Sequence, residues 1–208
     1  MKLFNCEIIR KVSAVHDRVA FTFDDGPHPE NTPAIMGLLE KKQGRGTFFL
    51  TGRNILRNRE LVKEMATRGH CIGNHTFNHG RALFQKKAIL RDEIVRTKEM
   101  IEDITGVENR FLRPPYGIIT PYLCSTCSDF NMKIVLWSVN SFDFRRLPVK
   151  DIVKRAGNRL DGGTILLFHE CHFRDSWRDY TNSIIALESI LQIAQEAKLK
   201  PFTIEELI

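Results

Sequence analysis

The sequence predicts an α/β domain: a mostly parallel sheet closed as a barrel, with helices packed outside. Three observations carry this. Short apolar runs alternate with amphipathic stretches along the whole chain, the pattern of parallel strands joined by helical crossovers. Polar clusters come directly after those runs: Asp24-Asp25, Asn74-His75, Arg113, Ser138 to Asp143, and His169-Glu170. In a parallel barrel all such strand ends meet on one face, where catalytic groups gather. A doubly wound sheet also places sites at strand ends, but the chain has neither a GxGxxG nor a Walker A loop.

In chain order, the first strand is expected at Val19 to Phe23, a run of apolar and β-branched residues. A helix over Thr32 to Lys41 follows, with Pro33 at its first position. Thr47 to Leu50 is the next strand. Glu60 to Arg68 is helical and is stopped by Gly69. Cys71 to Gly73 is a strand. Ile89 to Ile104 places Ile94, Met100, Ile101 and Ile104 among charges, as an amphipathic helix does, and ends before Gly106. Strands follow at Arg110 to Leu112, Lys133 to Trp137 and Thr164 to Phe168. Helices are expected at Asp151 to Leu160 and Ile184 to Ala197, and a last strand at Phe202 to Ile204. No repeat, low-complexity tract or linker interrupts this order.

With 208 residues the chain reads as a single domain, residues 1–208. Its 42% hydrophobic content suffices for a sizeable core. The net charge of +6 is mildly basic, and no basic run is long enough for a nucleic-acid arm. Arg53 to Arg59 reads as a solvated face. An anionic partner, such as a cell-wall polymer or a lipid-linked sugar phosphate, fits the charge. The five cysteines are an odd number without a disulfide framework. Cys124-Ser125-Thr126-Cys127 is a lone CxxC inside a helical stretch and reads as buried small residues. Glu7 and Arg10 interrupt the N-terminus before an apolar signal-peptide core forms. No run reaches transmembrane length. As it stands the chain is expected to be a soluble, cytoplasmic monomer, or an envelope or secreted protein if a leader precedes it.

The chemistry starts with the paired aspartates at the end of the first strand and with His75 and His79, four apart. Adjacent carboxylates repel, so a site that buries both supplies a cation or a proton. Two imidazoles and one carboxylate make a three-ligand catalytic metal set, with the fourth position open to water. The second carboxylate is then free to act as a base. One divalent ion is implied, with zinc the default and cobalt or nickel the alternatives.

Five motifs stand in order: Thr22-Phe23-Asp24-Asp25-Gly26-Pro27; His75-Thr76-Phe77-Asn78-His79; Arg113-Pro114-Pro115-Tyr116-Gly117; Trp137-Ser138-Val139-Asn140-Ser141-Phe142-Asp143-Phe144; and Leu166-Leu167-Phe168-His169. With them the chain resembles the polysaccharide deacetylases, the NodB-homology members of carbohydrate esterase family 4, from about Val19 to Ile208. The resemblance implies a distorted (β/α) barrel of seven or eight mostly parallel strands. It also implies metal-dependent removal of N-acetyl groups, by hydrolysis of a linear amide, from amino-sugar substrates such as chitooligosaccharide or peptidoglycan.

On this reading Asp25, His75 and His79 are the metal ligands and Asp24 is the general base. Neighbours in an extended segment point opposite ways, so Asp24 is not expected to be a second ligand. Arg113 matches the residue that fixes the base in direction. The backbone N–H of Tyr116 matches the oxyanion partner. His169 is the general acid, suited by its near-neutral titration, and Asp143 orients it and keeps it protonated. Trp137 and Leu167 match residues near the pocket for the acetyl methyl, with Pro115 and Phe144 as further substrate contacts. The segment Cys171 to Thr181 offers Trp177, exposed in this reading, with Arg174, Arg178 and Tyr180 as a surface for sugar rings or as a lid. His172 reads as a loop histidine, and His16, His28 and His70 as non-ligands.

Three positions depart from the family pattern. Asn140 stands where a first Asp is usual, Phe144 where Trp is usual, and Glu170 where Asp is frequent. They leave room for a catalytically weak sugar-binding member. A deformylase or deacetylase of a lipid-linked sugar is a further reading within the fold. A non-haem iron oxygenase shares the two-His-one-carboxylate set, but its β-helix fold conflicts with the α/β alternation.

Overall fold

The strands that read as continuous apolar runs are buried on both faces, as parallel strands covered by helices must be. The computed structural model describes residues 2–3, 6–173 and 178–208. The elements are β1 (Lys2–Leu3), β2 (Cys6–Ile9), β3 (Arg18–Asp24), α1 (Asn31–Lys41), β4 (Thr47–Leu50), α2 (Gly52–Arg57), α3 (Arg59–Thr67), β5 (Cys71–Asn74), α4 (Lys87–Thr105), β6 (Phe111–Leu112), α5 (Pro121–Asp129), β7 (Lys133–Val135), β8 (Val139–Asn140), α6 (Val149–Gly157), β9 (Ile165–His169), α7 (Thr181–Glu196), β10 (Lys200–Phe202) and α8 (Ile204–Leu207). The sheet runs β1-β2-β7-β6-β5-β4-β3-β9-β8. The eight strands from β2 to β8 are parallel; β1 pairs antiparallel to β2, and β10 lies parallel beside β3. The sheet curls into a half-barrel. Among the described residues β2 and β8 do not pair, which leaves it open.

Alternate residues of each strand serve two cores. Phe21, Phe23, Phe48, Leu50, Leu166 and Phe168 pack outward under the helices. Phe23 stacks on Phe48 with ring centroids 4.9 Å apart. Ala20, Phe49, Phe111, Val135 and Ile165 form a second cluster, to which α8 adds Ile204 and Leu207. The register brings the polar strand ends level. Asp24 pairs with Phe49 on one side and His169 on the other, and Asn74 pairs with Leu50 and Leu112.

Several boundaries differ from expectation for local reasons. The last strand is Lys200–Phe202, not Phe202 to Ile204, because Thr203 and Glu206 form a reciprocal capping box that starts α8. The strand expected at Lys133 to Trp137 stops at Val135; the Val135 and Leu136 carbonyls accept from the Arg113 guanidinium instead. Helix α1 begins at Asn31, so Pro33 is its third residue, still in the turn whose N–H groups lack helical partners. The Arg53 to Arg59 stretch, read as a solvated face, contains α2, with Arg53, Arg57 and Arg59 exposed around a buried Ile55.

All five cysteines are free and buried. Cys124 and Cys127 of α5 share an apolar cluster with Cys6 of β2. Replacing both by alanine is therefore expected to leave turnover within a few-fold while lowering the unfolding temperature. A large loss of activity at unchanged stability would contradict the packing role. Among the described residues no helix is long and apolar enough to cross a membrane.

Candidate active site

The site begins where β3 ends. Asp24 is the last strand residue, and Asp25 turns into the left-handed region at φ 76°. That conformation is unfavourable for a residue with a Cβ. It is held through the Asp25 carbonyl, which accepts from Asn54 Nδ2 at 2.7 Å and Cys171 Sγ at 3.2 Å. A Cβ at the next residue, Gly26, would lie 1.7 Å from the Glu170 carboxylate, so only glycine fits. The turn has a consequence that strand alternation does not predict. Both carboxylates face the same imidazole: Asp24 Oδ2 lies 3.7 Å and Asp25 Oδ1 3.5 Å from His75 Nε2. Their roles separate through their other partners.

Asp24 Oδ1 accepts from Arg113 Nη1 at 2.8 Å. Arg113 is fully buried. Three of its four other hydrogens go to Thr22 Oγ1 at 2.8 Å, the Val135 carbonyl at 3.1 Å and the Leu136 carbonyl at 3.0 Å. Its guanidinium lies over the Phe49 ring at 4.1 Å. A buried cation needs this degree of pairing, and the result is a carboxylate fixed in direction from below.

Asp25 instead faces histidines. His79 Nε2 lies 3.2 Å from its Oδ1, and among the described residues that buried oxygen has no hydrogen-bond partner. His75 donates Nδ1–H to the Arg113 carbonyl at 2.6 Å, which leaves the Nε2 lone pair aimed into the cavity. Burial pushes His75 down to about 3 and His79 to about 2, so both imidazoles are neutral. Burial, with Asp24 alongside and against the pull of His169, raises Asp25 to about 7. Two neutral imidazoles and a carboxylate, with ligand atoms within 4.8 Å of one another, fit a divalent cation. Phe173 stacks on His79 at 4.0 Å and Tyr116 meets it edge-on at 4.9 Å. Thr76 and His79 also have positive φ.

Across the cavity, His169 Nδ1 pairs with Asp143 Oδ1 at 2.9 Å, and Asp143 Oδ2 accepts the His169 backbone N–H at 2.8 Å. Ser141 Oγ and the Phe144 N–H hold the same carboxylate. Burial alone would lower His169. The Asp143 charge and hydrogen bond outweigh it, with help from Asp25 and Asp24, and raise it to about 9. Asn140 Oδ1 accepts the Phe142 N–H at 2.8 Å, a local turn for which an uncharged side chain suffices. Tyr116 sits at φ 61° in the Pro115–Gly117 3₁₀ turn. That turn closes with Gly117 N–H on the Pro114 carbonyl and Ile118 N–H on Pro115, neither of which uses the Tyr116 N–H.

These groups surround a cavity of about 270 Å³. Asp24, Asp25, His75, His79, Tyr116, Trp137, Asn140, Phe144, Leu167 and His169 line it. Arg113 and Asp143 stand behind Asp24 and His169. Pro115 is not among the lining residues; it is buried at the head of the turn that presents Tyr116. Trp177 lies outside the described residues. His172, Phe173 and Tyr180 also line the cavity. Tyr180, read as part of a sugar-ring surface or a lid, is buried. No sequence pattern marks these three, because they reach the site by packing of the segment after β9. Glu170 is likewise buried beneath Gly26, where burial raises its carboxyl to about 8.

The chain matches the family model described as polysaccharide deacetylase over residues 11–135. It is 37% identical over 149 residues to a peptidoglycan-N-acetylglucosamine deacetylase of Bacillus cereus, covering 71% of this chain and 54% of the relative. To a second B. cereus protein of that description it is 33% identical over 192 residues, covering 91% and 87%. The chain thus spans about half the length of the first relative and most of the second. Among solved structures, the Bc1960 peptidoglycan N-acetylglucosamine deacetylase superposes with a TM-score of 0.91 at 28% identity, covering 98% of this chain and 93% of that one. BA3943 of Bacillus anthracis, described as a CE4 family pseudoenzyme, superposes with a TM-score of 0.86 at 25% identity, covering 96% and 68%.

Proposed function

Because the chain belongs to the polysaccharide deacetylase family, we propose that it is a metal-dependent hydrolase that removes N-acetyl groups from an amino-sugar oligomer or polymer. Its substrate is chitooligosaccharide-like or peptidoglycan-like, in keeping with the relatives. The observation that carries this reading is the meeting of three units around one cavity: Asp25-His75-His79, Asp24 on Arg113, and His169 on Asp143.

Asp25, His75 and His79 would hold one divalent ion. When bound, it supplies an acidified water and polarises the amide carbonyl. Asp24, kept in direction by Arg113, takes the proton of the attacking water. The Tyr116 N–H faces the oxygen on which negative charge grows. His169, protonated and oriented by Asp143, delivers a proton to the departing amine at the imidazole nitrogen that Asp143 does not occupy. Trp137 and Leu167 offer apolar surface to the acetyl methyl.

The test is acetate release from N-acetylchitooligosaccharides and from peptidoglycan with zinc, cobalt or nickel added. Saturable turnover on either substrate supports the reading; binding without turnover makes this a sugar-binding member, as the likeness to a pseudoenzyme allows. The pH profile tests the acid. His169 must be protonated to act, so kcat/KM should fall as pH rises through its folded value. A cation beside Asp25 offsets that carboxylate's pull and brings this limb below about 9. Asp143→Asn removes the main stabilising charge and should move the limb further down and lower the maximum. An unchanged profile would exclude His169 as the acid.

A further inference from the structure

Tyr180 stands immediately before α7 and is 4% exposed, yet among the described residues its hydroxyl has no hydrogen-bond partner. Buried hydroxyls are nearly always paired, and leaving one unpaired is destabilising. The residue occupies a particular wall. It lines the catalytic cavity with Phe144, Leu167 and His169, and it also lines a neighbouring groove of about 560 Å³ edged by Asn31, Asn54, Asn58 and Arg57. Tyr180 thus belongs to the wall that the two spaces share. Burial, and then the charges of Asp143 and Asp25, hold its proton on, so the group is a neutral phenol that both donates and accepts.

We propose that the Tyr180 hydroxyl is a substrate contact that hydrogen-bonds a ring hydroxyl of the amino sugar next to the reacting amide. The inference rests on the amino-sugar reading above and adds what selects a carbohydrate over a simple acetyl compound. An acetyl group reaching Trp137 and Leu167 leaves the sugar ring at the boundary between the two spaces. A sugar ring carries hydroxyls there, and an acetyl compound without one leaves the phenol unpaired. A site built around such a hydroxyl penalises substrates that lack its partner.

Tyr180→Phe isolates the hydroxyl. For this variant the ratio of kcat/KM on N-acetylchitotetraose to that on 4-nitrophenyl acetate should fall about ten-fold, the worth of one hydrogen bond. The unfolding temperature of the free protein should hold or rise, since an unpaired buried hydroxyl is removed. A ratio within two-fold of wild type overturns the proposal, and so does a clear fall in unfolding temperature, which would mark a structural hydroxyl. Calorimetric binding of N-acetylchitotetraose to the zinc-loaded protein separates this failure from that of the parent reading. A wild type that binds the sugar without releasing acetate overturns the hydrolase, and the ten-fold difference is then read in the dissociation constant. A wild type that neither binds nor hydrolyses it overturns both.

Discussion

Replacing His79 by alanine is expected to abolish tight metal binding and acetate release together. The three proposed ligand atoms are buried and have few other uses: among the described residues Asp25 Oδ1 has no hydrogen-bond partner, and His75 Nε2 faces the two carboxylates. Removing one imidazole leaves two ligands and an open cavity. The loss in affinity should exceed the 10- to 100-fold typical of supporting residues behind the ligands. Metal analysis after gel filtration would read it as a fall from one ion per chain toward none. His79 also carries Phe173 and Tyr116 on its ring, so the alanine leaves a void. His79→Gln fills more of that space and should lose the metal at smaller cost in stability. Turnover by the wild type in excess chelator would remove the basis for the metal mechanism.

Asp24→Asn is expected to keep the metal and lose about 10²–10⁴-fold in kcat, the usual worth of a positioned base. Asp25→Asn should lose the metal as well. The comparison matters because both carboxylates approach His75 within 4 Å; if both variants lose metal equally, the division between base and ligand is wrong. The buried partner adds a second expectation. Arg113 keeps Thr22 and two carbonyls in the variant, but its only anionic partner becomes an amide. Breaking a buried pair costs up to about 3–5 kcal/mol, and the retained amide oxygen moderates this. Asp24→Asn should therefore unfold at lower temperature than wild type, which requires assays well below that transition.

The sequence made the catalytic strands legible because parallel strands buried on both faces read as apolar runs with polar ends. Val19 to Phe23, Thr47 to Leu50 and Thr164 to Phe168 all appear within one residue of their observed limits at each end. Asp24, Asp25, His75 and His169 stand at or just after those ends, which is why they stood out as candidate site residues. Two short strands were not legible. Strand β8 is two residues set among the polar residues of the fourth motif, and β2 is four residues interrupted by Glu7 in an N-terminal stretch that carries no long apolar run. Helix α2 fills six residues between β4 and α3 and carries as many arginines as aliphatic side chains. The left-handed turn at Asp25 has no signature in its own side chain. It comes from the carbonyl grip of Asn54 and Cys171, residues 29 and 146 positions away. Tyr180 is buried by tertiary packing, which the charged residues around it in the sequence do not reveal.

Asp24 and His169 sit opposite each other in one ladder, on strands that share five paired positions. The span between the proposed base and the proposed acid is thus set by backbone hydrogen bonds rather than by the loops that leave the strands. Insertions or deletions after β3, β5 or β9 can reshape what the mouth accepts without resetting that distance. Slippage of β9 by one residue would turn His169 to the opposite face. The architecture therefore separates two kinds of heritable change: loop lengths are free to drift with the substrate, while strand register is not. Chains only a quarter to a third identical can then keep one chemical span beneath quite different rims.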